Sequence, residues 1–266
     1  MIGIMQGRLS NGPKTANLDW FPFEKWEKEF HVAAKIGFNY IELVLDKYSD
    51  MRNPLLNINL IRRMHLSATT AKVKTTNCCI NSIINKSLII NDEMEKIKRI
   101  LKISGCLGIN KIILPLFDAS KPSKENFSNL VKNIREIAEE ALDLEVSVLI
   151  ESNMARCESE QFFEHLKTPN NIGMVYDLGN MTHCGYDVIG DLDYFFDLIK
   201  LVHVKDKDNN GINVRLGTGS VDFVNILRNL DNKNYEGEYT LETARGNDAL
   251  NEAALNLRYV KSILRQ

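Results

Sequence analysis

A chain of 266 residues, 44% hydrophobic and 26% charged, is long enough to bury a full core and has the composition of an ordinary water-soluble globular protein. Thirty-three basic residues against 35 acidic ones leave a net charge of −2, so no overall positive field exists to hold a polyanion and no nucleic-acid partner is expected. No apolar run approaches the roughly 20 residues of a membrane span, and Met1–Arg8 lacks the basic-then-apolar order of an export signal, so no membrane partner is expected either.

Short β-branched runs alternate with longer amphipathic segments, the order that builds βαβ units. Ile2–Met5 reads as a first strand. Phe23–Ile36 reads as a helix, with Phe30, Ala33, Ala34 and Ile36 as its apolar face and Gly37 as its stop. Tyr40–Leu45 is a strand, Leu55–Met64 a helix, and Val73–Ile80 a third strand interrupted by polar Lys74–Asn77. Asp92–Leu107 carries Met94, Ile97, Ile100, Leu101 and Ile103 at helical spacing. Then come strand Lys111–Leu116, helix Asn126–Leu144, strand Val146–Ile150 and helix Glu158–Leu166. Strand Gly173–Tyr176, helix Asp191–Ile199, strand Leu201–Val204, helix Val221–Leu230, strand Tyr239–Leu241 and helix Ala249–Leu264 complete the chain. Eight strands and eight helices, with no Pro/Gly/Ser-rich linker between them, predict an α/β fold: one (β/α)₈ TIM barrel over residues 1–266. An open dinucleotide-binding sheet would want G-x-G-x-x-G after the first strand, and it is absent, as are a P-loop and G-x-S-x-G.

Each late strand ends on a metal-ligand type of residue: Val-Leu-Ile on Glu151, Met-Val-Tyr on Asp177, Leu-Val on His203 and Tyr-Thr-Leu on Glu242. In a barrel all four reach the carboxyl-end mouth, where active sites lie. Taken singly, an acidic residue after a strand is a helix cap or a surface charge, and a lone histidine is a satisfied structural residue. Taken jointly, three carboxylates converging in a partly desolvated mouth repel one another, and a divalent cation relieves that repulsion. Three oxygens and one imidazole suit Mn²⁺ first, with Mg²⁺, Co²⁺ and Zn²⁺ compatible.

These residues sit in recognisable motifs. Ile2-Gly3-Ile4-Met5-Gln6-Gly7-Arg8-Leu9-Ser10, Gly37-Phe38-Asn39-Tyr40-Ile41-Glu42-Leu43, Leu149-Ile150-Glu151-Ser152-Asn153 and Tyr176-Asp177-Leu178-Gly179-Asn180 are four of them. His203-Val204-Lys205-Asp206, Leu216-Gly217-Thr218-Gly219-Ser220-Val221-Asp222-Phe223 and Leu241-Glu242-Thr243 complete the set. Through them the whole chain resembles the xylose isomerase-like TIM barrels. That superfamily of sugar and sugar-phosphate isomerases and epimerases includes tagatose/psicose 3-epimerases, L-ribulose-5-phosphate 3-epimerases, hydroxypyruvate isomerases, inosose dehydratases and, more distantly, endonuclease IV.

The resemblance implies that Glu151, Asp177, His203 and Glu242 are the metal ligands and that Glu151 and Glu242 double as acid/base catalysts. Flanking the substrate carbon on opposite faces, they would remove and return the proton alpha to a carbonyl through a metal-stabilised enediolate. It further implies substrate contacts at Arg215, after the seventh strand, and near Asn180 and His183. Asn180 stands where the 3-epimerases carry histidine, which argues against tagatose-type activity on free ketoses.

Gln6 and Arg8, at the end of the first strand, are further candidates for substrate binding, Arg8 as a bidentate fork for phosphate or carboxylate or else a loop-fixing ion pair. Lys205 is expected on the opposite side of its strand from His203. Glu42 is structural or substrate-orienting. Gly217 and Gly219 form a tight loop whose N–H groups could take an anion. Trp20, Phe21, Phe23 and Trp26 are read as a wall of the sugar pocket or a contact surface. The five cysteines have no paired spacing and read as reduced thiols in a cytoplasmic protein, with no nucleophilic role. The expected partner is a small sugar or sugar phosphate, and a homodimer is allowed. The competing readings are an apurinic endonuclease-like hydrolase, which would need more histidine ligands, and a non-catalytic sugar- or metal-binding barrel.

Overall fold

The computed structural model describes residues 1–12 and 20–264. Eight parallel strands are hydrogen-bonded in chain order and close on themselves: β1 (Ile2–Met5), β2 (Tyr40–Val44), β3 (Asn77–Cys79), β4 (Lys111–Pro115), β5 (Ser147–Glu151), β6 (Ile172–Asp177), β7 (Ile199–Val204) and β8 (Glu238–Leu241). The last pairing, of β1 with β8, sets Ile2 beside Tyr239 and Ile4 beside Leu241. The expected (β/α)₈ barrel is formed.

The helices are α1 (Trp26–Ile36), α2 (Ile58–Ala71), α3 (Ser82–Asn85), α4 (Asn91–Leu107), α5 (Phe127–Leu142), α6 (Arg156–Glu164), α7 (Leu178–His183), α8 (Val188–Tyr194), α9 (Phe223–Asn232) and α10 (Ala249–Ile263). None among the described residues is long and apolar enough to cross a membrane.

Both faces of every strand are buried, which is why the strands read as near-continuous apolar runs. Outward residues such as Ile4, Leu43, Ile112, Ile150 and Val202 pack under the helices. Inward, Met5, Val44, Cys79, Ile113, Leu149, Val175 and Leu201 form a ring with one side chain from each of the first seven strands. That ring plugs the barrel and is the floor of the mouth above it.

Several boundaries move, each for a local reason. The Pro22 carbonyl accepts the Lys25 and Trp26 amides in a turn, so α1 begins at Trp26 rather than Phe23. Asn57 caps Asn59, so α2 begins at Ile58 and runs on to Ala71. The third strand shrinks to Asn77–Cys79, because the Thr75 hydroxyl bonds to the Leu107 carbonyl and Lys74 makes only an isolated bridge to Tyr40. The helix expected over Asp191–Ile199 instead starts at Val188, capped by Asp187, and stops at Tyr194, while Ile199 opens β7.

Candidate metal centre

The mouth is built by the period of two. Glu151 lies two residues beyond Leu149 of the apolar ring, Asp177 two beyond Val175, and His203 two beyond Leu201. Each therefore points inward one layer higher, at the carboxyl ends of β5, β6 and β7. Glu242 follows β8 in the same register, two beyond inward-facing Thr240. One ligand atom from each of the four residues lies within 4.8 Å of the other three, and all four residues are buried.

The donor atoms fit a metal. Two bonds of about 2.1 Å span at most about 4.2 Å, so a few tenths of an ångström of inward movement closes the shell. His203 Nδ1 is buried without a hydrogen-bond partner of good geometry, and the buried Asp177 Oδ2 meets only the Lys205 ammonium. Nδ1 stands 3.4 Å from Glu151 Oε1 and 3.3 Å from Glu242 Oε2. On the far side of the ring, His203 Nε2 faces Glu42 Oε1 at 3.1 Å, which assigns Nδ1 to the metal side. Asp177 is a helix cap as well: its Oδ1 accepts the Asn180 amide at 2.8 Å and leaves Oδ2 for the site.

The charges give the same answer. Among the described residues, four buried carboxylates (Glu42, Glu151, Asp177, Glu242) meet two buried cations, Arg8 and Lys205. With His203 neutral the cluster is short of two positive charges, the charge of one divalent ion. In the metal-free site, burial raises the pKa of Glu151 despite the attraction of His203. Burial would lower that of His203, yet Glu42 and Glu151 outweigh it and raise it well above the usual imidazole range. Burial also pushes Glu242 up, but Lys205 and His203 overcome it and hold that carboxyl well below its usual range. The two glutamates thus stand apart in proton affinity.

A cavity of about 330 Å³ opens over this cluster. Asn180 and His183 line it beside Glu151 and Glu242, as do Asn81, Phe117, Asn153 and Lys207 from neighbouring strand ends. Other candidates lie elsewhere. Arg215 pairs with Glu252 on the outer surface, its side chain 48% exposed, and does not line the cavity. Gln6 and Arg8 are buried beneath it: Gln6 Oε1 accepts the Val44 amide, and Arg8 Nη2 is 3.6 Å from Glu242 Oε1.

Three expectations are corrected. Lys205 does not point away: its Nζ lies 2.8 Å from both Asp177 Oδ2 and Glu242 Oε2. Lys205 stands two residues beyond His203, as His203 stands two beyond Leu201, so the period of two itself carries it to the inward side and the expectation misapplied that period. The amides of Gly217 and Gly219 are not open to an anion, because Asp206 Oδ2 accepts both, at 2.9 and 2.8 Å. Trp20, Phe23 and Trp26 do not wall this cavity but line a separate groove with Arg52 and Arg63, which corrects only the pocket-wall half of that reading, and Phe21 is core. The residues underweighted by sequence reasoning are Lys205 and Glu42, whose only signal is a polar residue at an inward position of a barrel strand or just past its end.

A family model described as xylose isomerase-like TIM barrel matches residues 30–263. This chain belongs to that family. An L-ribulose-5-phosphate 3-epimerase (UlaE) of Escherichia coli is 25% identical over 236 residues, covering 82% of each chain. A D-psicose 3-epimerase from Clostridium cellulolyticum, solved with D-tagatose, superposes with a TM-score of 0.76 at 16% identity, covering 99% of each chain. A xylose isomerase-like barrel from Mycobacterium smegmatis, solved with magnesium, superposes at 0.74 and 15% identity, covering 98% of this chain and 95% of that one.

Proposed function

We propose that the chain is a divalent-metal-dependent epimerase or isomerase of a sugar or sugar phosphate. The observation that carries this reading is the buried group Glu151, Asp177, His203 and Glu242 at the barrel mouth, short of the charge of one divalent ion. The names of its relatives, which act on ribulose phosphate and psicose, support the substrate class.

These four residues would hold the ion, Mn²⁺ first, and when bound it supplies Lewis-acid polarisation of a carbonyl and its neighbouring hydroxyl. The chain's own groups do the rest. Glu151 and Glu242 form the acid/base pair, and one of them takes the proton alpha to the carbonyl. The other returns a proton. Donors to opposite faces of one carbon give epimerisation, whereas transfer between neighbouring carbons gives aldose–ketose isomerisation. Asn180 and His183 line the cavity, and in this reading they orient hydroxyls of the sugar.

The test is metal content by elemental analysis, followed by incubation in D₂O with a panel of ketoses and ketose phosphates. Deuterium beside the carbonyl, absent in Glu151→Gln and Glu242→Gln, is expected. One equivalent of metal without exchange on any sugar would favour a binding barrel instead. The hydrolase alternative gains nothing from the structure: His31, His65 and His165 lie on or at the end of outer helices, away from the mouth.

A further inference from the structure

The corrected position of Lys205 has a chemical meaning. Its ammonium is buried, lines the cavity and contacts Asp177 and Glu242 at 2.8 Å each. Its backbone is held from behind: a Cβ on Gly179 would stand 2.8 Å from the Lys205 carbonyl oxygen, so α7 abuts this residue as only glycine allows. The ammonium touches the same Asp177 oxygen that is otherwise without a hydrogen-bond partner.

We propose that Lys205 is a second cationic element of the site. In the metal-free protein it bridges Asp177 and Glu242 and offsets their repulsion. In the loaded protein it turns to a substrate oxygen in the cavity and stabilises the negative charge that develops there as the alpha proton leaves. The second half rests on the epimerase reading; the first does not. No bond to Lys205 forms or breaks, and its proton stays on the nitrogen throughout. A fixed cation beside a developing oxyanion in a water-poor cavity is an effective form of electrostatic stabilisation.

The test uses Lys205→Met, which keeps the stem and removes the charge, and the double variant Asp177→Asn/Lys205→Met, which restores the charge balance of the metal-free pocket. Melting of chelator-treated protein is expected to fall by several degrees in the single variant and to recover in the double one. Calorimetric titration with Mn²⁺ alone at pH 8 is expected to show about tenfold tighter binding to Lys205→Met, since a like charge has left the site. Deuterium exchange on the best sugar should lose about a hundredfold in kcat with little change in KM. Equal melting and equal Mn²⁺ affinity in wild type and Lys205→Met would overturn the bridging role. Unchanged kcat would overturn the oxyanion role. Wild-type protein that binds Mn²⁺ yet exchanges no sugar would sink the epimerase reading while the melting comparison still decides the bridge.

Discussion

The ring of Tyr40 fills the place where a side chain on Gly3 would stand: a Cβ there would lie 2.2 Å from Tyr40 Cε2. The two residues are paired neighbours on β1 and β2, both facing the barrel interior. Glycine on one strand is what admits an aromatic ring from the next. The Tyr40 hydroxyl then meets Thr240 Oγ1 at 2.8 Å, and Thr240 Oγ1 lies 2.8 Å from Glu42 Oε2. A polar column therefore rises through the barrel axis to His203. Gly3→Ala must push that ring aside and is expected to cost about 2 kcal/mol or more, the penalty of overpacking a filled core. Tyr40→Phe keeps the volume and loses one buried hydrogen bond, about 1 kcal/mol. Urea unfolding of both variants checks the order.

Glu42 ends that column against His203 Nε2. A carboxylate behind a ligating imidazole fixes which nitrogen carries the proton and turns the ring toward the ion. Glu42→Gln is expected to weaken Mn²⁺ binding by about 10- to 100-fold while the barrel stays folded. Competition titration against a coloured chelator reads this directly, and an unchanged affinity would mean that Asp177 and the glutamates orient the ion without help.

The ligands are legible in the sequence because barrel strands impose a strict alternation. A polar residue two positions past an inward apolar one has nowhere to go but the mouth, as Glu151 after Leu149 shows. Asp177 was open to two readings, cap or ligand, and its two oxygens serve both. What alternation cannot reach lies past the strand ends. Lys205, two past His203, still obeys the alternation, whereas Arg215 lies in the loop beyond and turns to Glu252, a choice made by long-range packing on α10. The early strand ends are equally silent, so Asn81 and Phe117 enter the cavity with no motif to announce them.

Asp206 explains why His203-Val204-Lys205-Asp206 travels with Leu216–Phe223. Its carboxylate accepts the amides of Gly217, Gly219 and Val221, the last at 3.2 Å, and a Cβ on Gly219 would lie 2.3 Å from Oδ1. Asp206→Ala strands three backbone donors and is expected to cost about 3 kcal/mol or more. Gly219→Ala should destabilise as well, by steric exclusion of the same carboxylate. Denaturant midpoints of the two variants should both fall below wild type.

Metal binding should follow pH with a definite sign. Burial raises the pKa of Glu151, and Glu42 and Glu151 hold that of His203 well above the usual imidazole range, so protons compete with the ion for these ligands. The ion needs those groups bare and must release them. Affinity is expected to rise with pH by about tenfold per unit for each proton displaced. Mn²⁺ titrations at pH 6, 7 and 8, repeated in buffers of different ionisation enthalpy, count the protons. An affinity flat across that range would contradict that competition.

Glu29 sets a separate pH dependence, away from the ligands. Its carboxylate, fully buried on α1, accepts the Gly7 amide at 2.8 Å and so anchors the loop after β1. Burial raises its pKa from 4.5 to about 7, against the opposing pull of that amide, Ser10 and Arg245. Between those values the folded protein holds a proton that the unfolded chain has released. The contribution to stability is therefore fully present below about pH 4.5 and is lost as pH climbs to about 7, a fall of about 3 kcal/mol. Glu29→Gln keeps the acceptor for Gly7 and cannot ionise, so its stability should lack this decline and exceed wild type at pH 8. Urea denaturation of metal-free protein at pH 5, 6, 7 and 8 separates the two. Parallel curves for wild type and Glu29→Gln would mean that the loop opens to hydrate the carboxylate instead of holding its proton.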